Sequence, residues 1–316
     1  MSETHQGFAR GWFVVAFSDE LAPLGVMPLR YFDQALVLFR TETGEARILD
    51  AHCPHLGAHL GVGGKVSGDA IVCPFHAWRF NGEGRCTEVP YAKKIPPGAV
   101  IKAWPTVERN GLIFVFHDRQ KGPPDWEIPL LPEHGDPAWM PWSGKHLDIR
   151  TQPREIVENV ADKGHFPVVH GTHIDHFENV YEGHTATQIT RGIAHPKGGG
   201  QDPFSLTATY HGPAYQITHM DGVLKSRLLL AHTPVDAEHL HLRFAVMLAV
   251  FGDPGRTQKF ASMYIQNLQV GFEEDIAIWE NKQWRDRPVL CEGDGPIAKL
   301  RKWYRQFYPD SEEAKS

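Results

Sequence analysis

The stretch that decides the fold is Cys53-Pro-His55-Leu-Gly57-Ala-His59-Leu-Gly61-Val-Gly63-Gly64, followed further on by Cys73-Pro-Phe-His76-Ala-Trp78. Two thiolates and two imidazoles, in two short loops with seventeen residues between His55 and Cys73, suit two kinds of site. One is a tetrahedral structural zinc. The other is a [2Fe–2S] centre in which two Cys hold one iron and two His hold the other. The spacing favours the cluster, because each loop sets its Cys and His close enough to reach both irons of a flat centre. Glycines 57, 61, 63 and 64 give the backbone room to approach sulfur and donate N–H bonds. Trp78 and Phe80 follow the second loop and are expected to shield it from water.

Around these loops, residues 1–121 read as short strands joined by tight turns. Ala35–Arg40 and Ala46–Leu49 flank Thr41-Glu-Thr-Gly-Glu45 as a hairpin. Ile101–Trp104 and Leu112–Phe116 flank Val107-Glu-Arg-Asn-Gly111, whose Asn-Gly is a turn signal. A small all-β domain follows from this pattern. With 316 residues the chain is long enough for two cores. Its 41% apolar and 22% charged residues are those of a globular protein, and a net charge of −6 without basic runs gives no support to nucleic-acid binding. The short apolar run Trp12–Phe17 is not an export signal, and Phe244–Phe251 has the length of a buried strand, far short of a membrane span. A cytoplasmic protein is expected. Four cysteines are too few for a disulfide scaffold; Cys86 and Cys291, without a nearby His, read as buried small hydrophobes.

Residues 122–139 hold five prolines and no periodicity, as a linker or wrapping segment does. From residue 140 to 316 the pattern is that of an α+β domain: a helical segment near Pro153–His165, alternating antiparallel strands over 180–250, and a long helix from about Phe260 to Trp284. The segment Glu158-Asn-Val-Ala-Asp162-Lys-Gly-His165-Phe-Pro-Val-Val-His170-Gly-Thr-His173-Ile-Asp-His176 holds four histidines, and spacing alone does not say which pair binds a metal. On the long helix Leu268, Phe272, Asp275, Ile276 and Trp279 share one face. Asp275 therefore sits in an apolar stripe, where a carboxylate needs a cation or a metal. Glu273 and Glu274 point elsewhere and read as solvated.

Cys-Pro-His-Leu-Gly and Cys-Pro-Phe-His-Ala-Trp resemble the two cluster loops of Rieske oxygenases and their ferredoxins. Respiratory Rieske proteins carry an extra Cys in each loop; Ala58 and Phe75 stand there instead, which points to the lower-potential type. Asn159-x-x-Asp162-x-x-His165-x-x-x-x-His170 is similar to the mononuclear iron motif of the oxygenases, and Phe272-x-x-Asp275-x-x-Ile278-Trp279 to the third-ligand helix of one subfamily. The pattern Pro288-x-Leu290-Cys-Glu-x-Asp-Gly-Pro296 and Arg301-Lys-Trp-Tyr-x-x-Phe-Tyr308 resemble the tail of 3-ketosteroid 9α-hydroxylases, and the cluster loops also resemble those of cholesterol 7-desaturases.

The resemblance implies a terminal oxygenase of α+β class. An N-terminal all-β Rieske [2Fe–2S] domain (1–121) would be followed, after the Pro-rich linker (122–139), by a helix-grip catalytic domain (140–316). Cys53, His55, Cys73 and His76 would hold the cluster, and His165, His170 and Asp275 a ferrous ion as a facial triad. Asp162 would bridge the cluster histidine of a neighbouring subunit to His165, and Asn159 would support the ligands from behind. The implied partners are O2, a reductase or ferredoxin drawing on NAD(P)H, an apolar sterol or steroid, and two further copies in a homotrimer. Hydroxylation, desaturation and oxidative demethylation are all open. Two other readings stand: an oxygenase for small aromatic acids or ethers, and a non-enzymatic Rieske electron carrier or zinc protein.

Overall fold

The computed structural model describes residues 7–194, 202–221 and 225–308. Two compact units emerge, Trp12–Leu130 and a second built from the segment ending at Gly11 together with Leu131 onward.

The strands associated with the first unit are β1 (Gly11–Phe17), β2 (Val26–Tyr31), β3 (Gln34–Arg40), β4 (Ala46–Asp50), β5 (Lys65–Ser67), β6 (Ala70–Val72), β7 (Arg79–Asn81), β8 (Cys86–Glu88), β9 (Ala103–Trp104), β10 (Thr106–Arg109) and β11 (Leu112–His117). They form three small sheets ordered β1-β11-β10, β2-β3-β4-β9 and β5-β6-β7-β8. The β3–β4 hairpin pairs Arg40 with Ala46 across the expected five-residue loop. The Asn-Gly turn is also present, with φ of 58° at Asn110 and 74° at Gly111, as a two-residue primed turn requires. Its first arm, however, is Thr106–Arg109 and not Ile101–Trp104. A two-residue turn forces its flanking residues to pair, here Arg109 with Leu112, while Ala103 and Trp104 pair with β4. Cys53 and Cys73 belong to one apolar cluster with Phe39, Leu60, Ile71 and Phe80.

The second unit holds β12 (Ser143–Ile149), α1 (Pro153–Val157), α2 (His165–Val169), β13 (His173–Glu182), β14 (Thr185–Ala194), β15 (Asp202–His211), β16 (Tyr215–Asp221), β17 (Ser226–Pro234), β18 (Leu240–Leu248), α3 (Pro254–Trp279) and α4 (Ile297–Tyr304). Its strands make one antiparallel sheet in the order β12-β18-β17-β16-β15-β14-β13. The buried strand is Leu240–Leu248, earlier than the apolar run Phe244–Phe251 suggested. Leu240, Leu242, Phe244, Val246 and Leu248 alternate onto one face, where they pack with residues of α3 including Ala261 and Trp279.

Helix α3 begins six residues before the expected Phe260 and ends five before Trp284. Pro254 suits a first helical turn, where a missing N–H leaves no bond unmade. At the other end Thr151 Oγ1 donates to the Trp279 carbonyl at 3.3 Å and the Arg150 guanidinium to the Glu280 carbonyl at 3.1 Å. These bonds satisfy carbonyls that a further turn would have used. Trp284 instead lies between the guanidinium groups of Arg154 and Arg301, at 4.3 and 3.9 Å. No helix among the described residues is long and apolar enough to cross a membrane.

Residues 118–142 carry neither helix nor strand beyond a bridge from Trp139 to Ala249. Within the second unit this segment is pinned by Glu133. Its Oε1 accepts from Arg227 of β17 at 2.6 and 2.8 Å, with both side chains about 10% exposed, and Arg227 also stacks on Trp139. Removing one member of such a pair strands a buried charge. Arg227→Met is expected to lower the unfolding free energy by about 3–5 kcal/mol, and addition of Glu133→Leu to restore most of it. Urea unfolding followed by tryptophan fluorescence reads both; a single variant costing less than about 1 kcal/mol would place the pair with ordinary surface ion pairs.

Candidate metal centres

The first centre lies in the Trp12–Leu130 unit, on two loops with the same backbone pattern. The Cys53 N–H donates to the Ala58 carbonyl at 2.9 Å and the Cys73 N–H to the Trp78 carbonyl at 2.8 Å. Four residues after each Cys an N–H returns to the Cys carbonyl, from Gly57 at 2.9 Å and from Ala77 at 3.0 Å. Both returning residues have positive φ, 76° and 57°. Gly57 adopts this freely, whereas Ala77 holds it at a cost of about 1–2 kcal/mol. The loops therefore match in hydrogen bonding although one reads Cys-x-His and the other Cys-x-x-His.

Both thiols are buried, at 3% exposure, and the imidazoles lie nearer the surface. Burial, opposed in part by the His55 backbone N–H and reinforced by the adjacent Cys73, pushes the Cys53 thiol up to about 11. Cysteines inside an apolar cluster bind a metal as thiolates, with the metal replacing their protons. The His55 and His76 rings stand 4.6 Å apart between centroids, and the buried His55 Nδ1 has no hydrogen-bond partner. An orphaned ring nitrogen beside a second imidazole and two thiols fits the His2Cys2 donor set of a [2Fe–2S] cluster. Trp78 is buried as expected and lies flat on His55, with centroids 4.7 Å apart and planes 7° apart. Its Nε1 donates to the Tyr91 hydroxyl at 2.8 Å. Sequence reasoning missed Tyr91, which sits thirteen residues beyond Trp78 and outside either loop. Cys86 is buried, but Cys291 is exposed, contrary to expectation. Its sulfur lies in a turn where it donates to Asp294, not in a core.

The second centre is built by α2 and α3. His165 opens α2, His170 follows its last residue, and Asp275 lies on α3, with one donor atom of each inside 4.8 Å of the others. His170 Nε2 is 3.5 Å from Asp275 Oδ2. Asp275 is 7% exposed, and His170 is its ion-pair partner among the described residues; no Arg or Lys answers it. Phe272, Ile276 and Trp279 share its face as periodicity expects, while the Leu268 side chain lies outside the described residues. His165 Nδ1 is 2.6 Å from the Asp162 carbonyl, so Nδ1 carries the proton and Nε2 is bare for a metal. Two imidazoles and one carboxylate are the donor set of a non-haem ferrous site with open positions.

Asp162 also accepts the His165 backbone N–H at 3.2 Å. Burial pushes its carboxyl up, but the hydrogen bonds and charge of His165 outweigh this and hold it below the usual carboxylate range. Asn159 Oδ1 accepts from Trp279 Nε1 at 3.3 Å, tying the motif segment to the face of α3 that bears Asp275. His173 and His176 stand on β13 in exposed pairs with Asp175 and Glu178, apart from the triad. Glu273 is exposed and Glu274 half-buried.

The triad opens on a cavity of about 160 Å3. Its sheet wall consists of even-numbered residues on adjacent strands. Gln188, Ala208, Thr218 and Leu228 form one cross-strand row, and Tyr210, Gln216 and Leu230 a second. Phe272 and Trp279 face them from α3. No Lys or Arg is among the described lining residues. The Tyr210 hydroxyl meets His232 Nε2 at 3.2 Å, and burial pushes His232 down to about 3, so this end of the cavity is uncharged too.

Both units match known protein families. Residues 11–105 match the Rieske [2Fe-2S] domain, and residues 115–308 match the 3-ketosteroid 9alpha-hydroxylase C-terminal domain. The chain is 38% identical to a 3-ketosteroid-9-alpha-monooxygenase oxygenase component of Rhodococcus rhodochrous, covering 97% of this chain and 83% of that one. It is 32% identical to a cholesterol 7-desaturase of Ciona intestinalis, over 96% and 69%. Dicamba monooxygenase, solved with dicamba bound, has the same fold: TM-score 0.79 at 21% identity, over 98% of this chain and 100% of that one. Similarity to the Rhodococcus protein extends over both units, and on that ground the chain belongs to the 3-ketosteroid 9α-monooxygenase family of Rieske non-haem iron oxygenase components, oxidoreductases that work with a [2Fe–2S] cluster and Fe(II).

Proposed function

We propose that this chain is the cytoplasmic oxygenase component of a steroid or sterol monooxygenase, fed with electrons from NAD(P)H by a separate reductase. The observation that carries the substrate class is the cavity at the triad: apolar on most of its wall, dotted with neutral hydrogen-bonding groups, and without a Lys or Arg among its described lining residues. A small aromatic acid entering it would lose its hydration with no Lys or Arg among the described lining residues to pair with its carboxylate. A fused-ring ligand with one or two neutral oxygens loses little and gains from burial against Phe272, Leu228, Leu230 and Trp279. The names of the relatives, a ketosteroid monooxygenase and a cholesterol desaturase, point the same way. A carrier that only bound partners would have no use for a carboxylate buried beside two imidazoles.

In this reading residues 1–121 form the electron-receiving domain, 122–139 the connection and 140–316 the catalytic domain. Cys53, Cys73, His55 and His76 hold the cluster, and His165, His170 and Asp275 hold the iron. When bound, the cluster supplies electrons one at a time and the ferrous ion supplies the place where O2 is reduced. The protein's part is orientation. The Asp162 carbonyl fixes the His165 tautomer, Asn159 and Trp279 hold the two ligand-bearing segments in register, and the sheet wall sets the depth to which the substrate enters. Asp162 joins His165 to His76 of the partner subunit in a homotrimer, so that electrons cross between subunits through a carboxylate.

Three results are expected. Asp275→Ala loses the mononuclear iron and more than about a hundredfold of turnover while the visible spectrum of the cluster persists; retained iron and activity would move the third ligand elsewhere. Asp162→Asn keeps both metal sites by metal and sulfide analysis but slows oxidation of the reduced cluster in a single turnover, and an unchanged rate would remove the bridge. In reductase-coupled oxygen uptake, a panel of steroids and sterols stimulates consumption and a panel of aromatic acids does not. The reverse pattern would sink the steroid reading.

A further inference from the structure

The tail motif Cys291-Glu-Gly-Asp294-Gly295 has no part in either metal centre, yet it is packed against the segment that bears Asp162. The Lys163 N–H donates to the Asp294 carbonyl at 3.0 Å. On the other side of Asp162, Gly295 lies so close to Ala161 that a Cβ there would stand 2.3 Å from the Ala161 carbonyl oxygen and 3.2 Å from the Lys163 nitrogen. Gly295 also has φ of 89°, a conformation that a side chain opposes. The turn thus grips the residues before and after Asp162.

The turn is itself closed from within. Asp294 Oδ2 accepts the Cys291 backbone N–H at 2.6 Å, Asp294 Oδ1 accepts the Cys291 thiol at 3.3 Å, and the Asp294 N–H returns to the Cys291 carbonyl at 3.3 Å. Both oxygens of the carboxylate are engaged in shaping the turn, which leaves the backbone to hold its neighbour. The Asp162 N–H already donates to the Glu158 carbonyl and its carbonyl is occupied by His165. Local helical bonds therefore hold the Asp162 peptide, and the remote turn fixes where that peptide sits.

We propose that the Cys291–Gly295 turn is a clamp that positions Asp162 for electron transfer, with Asp294 and Gly295 as its positioning residues. This rests on the reading of Asp162 as the electron bridge. A carboxylate that must meet a histidine of another subunit tolerates little displacement, and a shift of its backbone acts on the transfer rate without touching a metal ligand.

The test is a single-turnover measurement on the holoenzyme, reduced in advance and mixed with O2 and a 3-ketosteroid, following reoxidation of the cluster by its visible absorbance. Gly295→Ala is expected to slow reoxidation by roughly 10–100-fold with iron, sulfide and steroid binding unchanged. Asp294→Ala does the same, and Asp294→Asn recovers most of the rate, since its amide oxygen still accepts from Cys291. If Gly295→Ala does not fold, the Asp294 pair carries the test. Wild-type rates in Gly295→Ala and Asp294→Ala beside a slow Asp162→Asn would overturn the clamp and leave the bridge standing. Loss of iron in the clamp variants would also overturn it, by making the turn part of the iron site. If Asp162→Asn is as fast as the wild type, the bridge falls and the clamp with it.

Discussion

A carboxylate inside an apolar stripe is the constraint on which the second unit is organised. Asp275 has Phe272, Ile276 and Trp279 on its own face and meets two imidazoles instead of a guanidinium or ammonium group. Desolvating such a group is tolerable only where a cation will sit. The imidazoles come from α2, far away in sequence, so the sheet has to hold α2 and α3 against each other within hydrogen-bonding tolerance. The capping of α3 by Arg150 and Thr151, and the bond from Trp279 to Asn159, serve that requirement by tying the helix end to the segment before the iron motif.

The first unit solves a related problem by different means. Its cysteines are part of an apolar core, where burial pushes the Cys53 thiol up and the His55 backbone N–H opposes it in part. Repeating one hydrogen-bond pattern in two loops gives a flat cofactor two equivalent walls. The cost appears at Ala77, which holds a left-handed conformation that Gly57 occupies freely.

The cluster loops were legible because their chemistry is local: thiol and imidazole lie within four residues in each. Asp275 was legible because helical periodicity sets its neighbours. His165 and His170 were not separable from His173 and His176 by spacing, and only the resemblance to the oxygenases chose between them. The rest failed for identifiable reasons. The C-terminal end of α3 depends on groups supplied by Arg150 and Thr151, more than a hundred residues away. The arm of the Asn-Gly hairpin depends on turn geometry that excludes Ile101–Trp104. Exposure of Cys291 depends on a turn that folds for the sake of Ala161 and Lys163. Alternation along β14–β17 was visible, but not which parity would face the iron.

That parity bears on how such a protein changes over time. The substrate wall is written on even-numbered residues of adjacent strands, and the odd-numbered positions between them point to the opposite side of the sheet. A slip of one residue in any strand would exchange the two sets, so the register resists alteration. A replacement at a single even position alters the wall and leaves the ladder of backbone bonds untouched. The cavity wall is a grid on a fixed backbone: its shape and polarity can be revised square by square, with squares that pair across strands responding together.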